Sequence, residues 1–197
     1  KEQKAIRARL NELARRYNGA GLSKIYEGVI YSRYVGLLLE LKTIEHYHKL
    51  GYKILQSGRE LFDENGLYVT ELDVVAESPE GKIVLIEAKS ARVNLPNDEV
   101  LRDKVVYKLE TYKKHRAKLE TMIGRKIDAV VFSMDAALDP TVADRGRLAN
   151  RDRRKAELVE FLRSKEPMLS SRYDYPVSFL FLQSGPLASF SSGSSRA

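Results

Sequence analysis

Apolar residues recur at helical spacing in two stretches early in the chain. Ile6, Leu10, Leu13 and Tyr17 form one stripe, predicting a basic amphipathic helix over residues 1–17 that ends near Asn18-Gly19. That stripe needs a partner, either the core or a second copy of the chain, which would make a homodimer. Leu37, Leu41, Ile44 and His48 form the second stripe, predicting a helix over residues 29–50 that stops at Gly51. The pattern then changes to strands. Residues 52–56 read as a short strand, and residues 57–66 as a polar connection or strand extension carrying Arg59, Glu60, Asp63 and Glu64. Two runs rich in β-branched and aliphatic residues, 68–76 and 82–88, flank Ser78-Pro79-Glu80-Gly81 and predict an antiparallel hairpin. Asn97-Asp98-Glu99 is a helix start, a capping residue followed by acids, and the helix is expected to run to Ile123 before Gly124. A buried strand over 126–134, an irregular piece from Asp139-Pro140, a helix over 147–164 with Leu148, Leu158, Val159 and Leu162 inward, and a strand over 177–182 complete the series. Helix, three strands, helix, strand is an α/β order with a mixed central sheet. The chain divides into a helical extension (1–28), an α/β domain (29–183) and a tail rich in Ser, Gly and Ala (184–197) expected to be flexible.

The hairpin has a definite register. If Gly81 supplies the positive-φ position of a three-residue connection, Ser78 pairs with Lys82 and paired residue numbers sum to 160. Asp73 then falls opposite Glu87 and Glu71 opposite Lys89, and the period of two puts all four side chains on one face. Carboxylates crowded on a partly buried strand repel one another and lose hydration. A hard divalent cation relieves that conflict, because Mg²⁺ takes oxygen ligands from one or two carboxylates with waters and substrate phosphate. Lys89 points into the same cluster, where it could orient or help deprotonate a metal-bound water, or screen charge on a phosphate. The implied chemistry is phosphodiester hydrolysis. The competing reading is an exposed strand face with cross-strand ion pairs of little energetic weight; Val74, Val84, Leu85 and Ile86 around the charges favour the catalytic one. Glu71 is a secondary candidate for the site, or the partner of Lys89 in a structural ion pair.

Charge adds a partner. The chain carries a net +7, yet nine Lys or Arg stand against three acids between Val100 and Lys126, and six against Asp152 alone between residues 145 and 155. Concentrated positive charge beside an acidic centre suits a polyanion, through phosphate neutralisation and counterion release. Lys104, Tyr107 and Lys108 near the start of the long helix, with Arg151, Arg153 and Arg154, are the expected nucleic-acid contacts. There is no cysteine, which removes disulfide frameworks, zinc–thiolate sites and thiol nucleophiles and suits an intracellular, cytoplasmic protein. No apolar run approaches the roughly 18 residues of a membrane span, so no membrane partner is expected. His46 and His48 stand i, i+2 on a helix and point to different sides, and His115 sits among lysines, so none reads as a ligand.

Asp73, thirteen intervening residues, then Glu87-Ala88-Lys89 resembles the PD-(D/E)xK nuclease superfamily, whose members include archaeal Holliday-junction resolvases and restriction-type endonucleases. Leu72 stands where the family name has proline. The resemblance covers residues 29–134 and implies a restriction-endonuclease-like αβββαβ core, DNA as the favoured substrate, endonuclease activity with structured junctions or flaps among the substrates, and Mg²⁺ dependence with Mn²⁺ as a substitute. It implies catalytic roles for Asp73, Glu87 and Lys89 and the Ala88 carbonyl as a further metal ligand. In the family a helix acid about three turns before a Gly-aromatic pair enters the metal site; Glu40, eleven residues before Gly51-Tyr52, matches, with Glu45 the weaker substitute. Two other classes stay open: a nucleic-acid-binding module on a nuclease scaffold that does not cut, and a structural or assembly protein built on the amino-terminal helix.

Overall fold

The computed structural model describes residues 31–92, 95–137 and 148–182. The expected helix over 1–17 and the tail from residue 184 lie outside the described residues.

The first helix, α1 (Tyr31–Lys49), ends where the sequence stops it: Gly51 takes φ 83°, and the Tyr52 amide returns to the Tyr47 carbonyl at 3.0 Å. Its buried face is not the expected one. Leu39, Thr43 and Tyr47 are buried and Ile44 half-buried, whereas Leu37 and Leu41 are 52% and 59% exposed and His48 is exposed. The stripe is rotated because the helix seats a polar contact: the Thr43 hydroxyl meets the Ser133 hydroxyl at 2.7 Å inside the core. Glu40 borders the true inner face, one turn from Thr43 and Ile44.

Five strands follow, β1 (Lys53–Phe62), β2 (Tyr68–Glu77), β3 (Ile83–Arg92), β4 (Ala129–Ala137) and β5 (Val177–Phe181), and they lie side by side in chain order. The first two junctions are antiparallel and the last two parallel, so the sheet is mixed. Between β3 and β4 the chain crosses through α2 (Asn97–Val100), a π-helical turn over Leu101–Val106, α3 (Tyr107–Lys114) and α4 (Arg116–Ile123). The sequence predicts these as one helix; the π-turn and a break at His115 divide it. Between β4 and β5 runs α5 (Leu148–Tyr173), which continues past the expected end through Pro167 because Leu158, Leu162 and Leu169 keep burying one face.

Each face of the sheet has its own core. Val74, Ala76, Val84 and Ile86 pack with Tyr47 on the α1 side. Val75, Leu85, Val130 and Phe132 pack with Leu109, Tyr112, Leu162 and Leu169 on the other side. Side chains of this size contribute roughly 1.5–3 kcal/mol each when fully buried, so the alternation along β2 and β3 fixes which face every charged residue takes.

The hairpin turn follows the predicted geometry. The Ser78 amide donates to the Lys82 carbonyl at 2.8 Å, Gly81 has φ 79°, and β2 and β3 pair from Glu77 with Ile83 to Val74 with Ile86. Every pair sums to 160. The pairing then stops. β2 stays with β1 as far as Tyr68 opposite Phe62, while β3 stays with β4 as far as Arg92 opposite Ala137. The sheet therefore opens into a fork, and its first unpaired residues are Asp73 and Glu87. The expected opposition of Glu71 and Lys89 does not form, because the β2–β3 pairing ends at Val74 and Ile86; Glu71 keeps only its partner Glu60 on β1.

Candidate active site

Where a ladder ends, the next backbone donor must find another acceptor. Hydrogen-bonded pairs alternate in an antiparallel ladder, so after 78/82, 76/84 and 74/86 the next would be 72/88. The strands have parted there, and the Asp73 carboxylate takes the vacated position: its Oδ2 accepts the Ala88 amide at 2.8 Å. A strand residue's N–H and C=O lie on the same edge, so the Ala88 carbonyl faces the same opening.

Three further groups close on that point. Lys89 Nζ lies 3.0 Å from Asp73 Oδ2 and 2.7 Å from Glu87 Oε2, bridging the two acids. Lys108 Nζ, from the first turn of α3, lies 3.1 Å from the same Glu87 oxygen and donates to the Glu71 carbonyl at 2.6 Å. Tyr112, one turn along α3, donates its hydroxyl to Glu87 Oε1. Glu87 Oε2 is thus held by two ammonium groups, Lys89 at 2.7 Å and Lys108 at 3.1 Å.

Burial grades the cluster from floor to rim. Glu87 is fully buried and Asp73 is 6% exposed, while the Lys89 side chain keeps 25% of its surface and Glu40 and Glu71 are half-buried. The charged groups therefore meet solvent on the side where Lys89, Glu40 and Glu71 lie. Burial raises the Glu87 pKa against the pull of Lys89 and Lys108. Burial opposes the charge on Lys89, but Glu87 and Asp73 outweigh it and hold that ammonium well above its ordinary range. Tyr112 is raised by burial and then by Glu87, so it stays a donor.

Glu40 belongs to this neighbourhood. Its pKa is raised first by burial and then by the charges of Asp73 and Glu71. Glu71 turns back over β1, where Gly58 at φ 60° leaves room: a Cβ there would come within 3.4 Å of Glu71 Oε1. No ion pair joins Glu71 to Lys89 among the described residues.

No family model, no curated protein and no solved structure matches this chain.

Among the described residues no three His, Asp or Glu side chains stand close enough to hold an ion together. The expected cage of Glu40, Asp73 and Glu87 is thus not assembled, and Lys89 lies between the two acids that would share the ion. The donor chemistry nevertheless fits a hard cation. Glu40, Glu71, Asp73 and Glu87 lie within electrostatic reach of one another, and among the described residues only Asp73 and Glu87 of the four are paired with the ammonium groups of Lys89 and Lys108, so carboxylates outnumber ammonium groups by two.

The expected nucleic-acid contacts separate into three groups. Tyr107 is 69% exposed and Lys104 half-buried beside it. Lys108 is turned inward and 9% exposed, so it serves Glu87 in place of a phosphate. Arg153 and Arg154 are exposed on α5, Arg153 paired with Glu157 at 3.3 Å, and the side chain of Arg151 lies outside the described residues. Elsewhere in the basic run over residues 100–126, Arg102, Arg116 and Arg125 are spent on Asp103, Glu120 and Glu77. Nothing in the sequence separates Lys108 from its basic neighbours, but Tyr112 and Lys108 are spaced i, i+4 after the Glu-x-Lys strand, which is a signal for two side chains on one helix face. Asp135, which no pattern in the sequence marks, is buried on β4, opposite Ser90 of β3, and its Oδ1 has no hydrogen bond among the described residues.

The Glu40 shift gives a signed expectation. A carboxyl whose folded pKa is raised binds its proton more tightly folded than unfolded, so its contribution to stability falls as pH climbs from the ordinary value of 4.5 through the folded value. Glu40→Gln should raise the melting temperature of metal-free protein at neutral pH, and the gain should vanish below pH 4.5. A melting series over pH checks this; a gain that persists in acid would mean Glu40 is not the strained group.

Proposed function

We propose that the chain is a divalent-metal-dependent nuclease of the PD-(D/E)xK type, with a restriction-endonuclease-like αβββαβ core and DNA as substrate. The observation that carries this reading is the fork: an Asp and a Glu-x-Lys at the end of a broken ladder, with the two acids joined by one lysine. A structural ion pair would not need the strands to part beside it.

Asp73, Glu87 and the Ala88 carbonyl would hold Mg²⁺ or Mn²⁺, with Glu40 reaching an outer water or a second ion. Such an ion, when bound, polarises a phosphate oxygen and lowers the pKa of bound water. The residues supply position and charge. Asp73 keeps the fork open by replacing a backbone acceptor. Glu87 is held in one rotamer by the Tyr112 hydroxyl and the two ammonium groups. Lys89, with its pKa raised between two carboxylates, is charged at neutral pH. It therefore orients the attacking water and neutralises the phosphate as a donor; proton abstraction is not its role in this ion-paired state. Lys104, Tyr107, Arg153 and Arg154 offer exposed groups for the nucleic-acid backbone. A homodimer through the amino-terminal helix is compatible with this reading.

The closeness of Lys89 to both acids favours one second reading, a nucleic-acid-binding module whose ion-paired fork no longer cuts. Incubating duplex, single strand, flap, four-way junction and RNA with Mg²⁺, Mn²⁺ or EDTA separates the two. Cleavage of at least one DNA, lost in EDTA and lost on Glu87→Gln, is the expected result. Binding without cleavage under every metal condition would establish the second reading.

A further inference from the structure

A lysine buried in an apolar helix layer is costly to desolvate and is retained only where its charge is matched. Lys108 is 9% exposed, and its ammonium lies 3.1 Å from Glu87 Oε2, the oxygen that Lys89 also meets at 2.7 Å from the solvent side. A divalent cation on Glu87 would need that oxygen, because Oε1 is already engaged by Tyr112. The ammonium and the cation cannot share it without strong repulsion at such a separation.

We propose that Lys108 is a resident counter-ion that competes with the divalent cation for Glu87 Oε2. The Glu71 carbonyl, 2.6 Å from the same nitrogen, gives the ammonium an anchor when it gives up Glu87. Lys108 thus neutralises a buried carboxylate in the metal-free protein and sets a high threshold for metal entry. Added negative charge from a substrate phosphate lowers that threshold, so the ion is recruited together with the substrate. This inference rests on the metal-binding reading of the site and adds a residue whose removal tightens the metal.

Lys108→Gln tests it, because glutamine can keep the bond to the Glu71 carbonyl without the charge. Calorimetric titration with Mn²⁺, and with Ca²⁺ to avoid turnover, is made on the full chain without nucleic acid, alongside melting curves with and without metal. The expected result is affinity at least about tenfold tighter in Lys108→Gln than in the parent. Metal-free Lys108→Gln should melt lower than the parent, and Mn²⁺ should restore it. Lys108→Met, which cannot bond Glu71, should show the same tightening with a lower metal-free melting temperature. Equal or weaker metal affinity in both variants overturns the competition while leaving the metal site standing. Absence of any metal binding by parent and variants at millimolar concentration overturns both the inference and the metal-dependent reading.

Discussion

Lys89→Met should abolish cleavage and also cost the fold. Substrate cutting in Mg²⁺ should fall by at least about 10²-fold, the usual scale for a positioned proton-handling or charge-neutralising group. Lys89 also stands 3.0 Å and 2.7 Å from two carboxylates that are almost wholly buried, so its removal leaves Asp73 unpaired and Glu87 with Lys108 alone. Breaking a buried pair from one side costs about 3–5 kcal/mol. For a chain of this size that is roughly 10 °C of melting temperature. A divalent cation should recover part of the loss, because it supplies the missing charge to the same oxygens. Melting curves with EDTA and with Mn²⁺, run beside the cleavage assay, check all three effects. Unchanged stability would mean that the two acids were already satisfied without Lys89.

Asp73 performs two separable jobs, and two substitutions should pull them apart. Asp73→Asn keeps an oxygen that can accept the Ala88 amide, now 2.8 Å from Oδ2, but removes the charge. Asp73→Ala removes both and leaves a buried amide without an acceptor, a loss of about 1–3 kcal/mol. Both variants should be inactive, since neither offers a charged metal ligand. Only Asp73→Ala should melt distinctly lower, and amide exchange at Ala88 should quicken in that variant alone. If the two melt alike, the carboxylate is not the acceptor that holds the fork.

The part of the site carried by the hairpin was legible from residues alone. A three-residue connection with Gly81 at φ 79° sets the register, and the register pairs Val74 with Ile86, one step before Asp73 and Glu87. What lay beyond the hairpin was less legible because it depends on contacts between elements. The extension of β1 to Phe62 carries no alternating pattern, since an edge strand is exposed on most of its length. The inner face of α1 differs from its apolar stripe because apolarity marks Leu37 and Leu41, whereas the sheet below selects Thr43 through Ser133. Lys108 reads in sequence as a nucleic-acid contact; only the packing of α3 on the sheet turns it toward Glu87. The end of the β2–β3 pairing, which creates the opening, could not be read from either strand, as both continue unbroken in sequence.

The turn at residues 78–82 therefore does more than reverse the chain. Apart from Gly81, whose φ of 79° disfavours any other residue, its side chains could be exchanged with modest consequence, but its span could not: one residue gained or lost would put Asp73 and Glu87 on opposite faces of the sheet. Selection on this stretch should tolerate changes of spelling and reject changes of length.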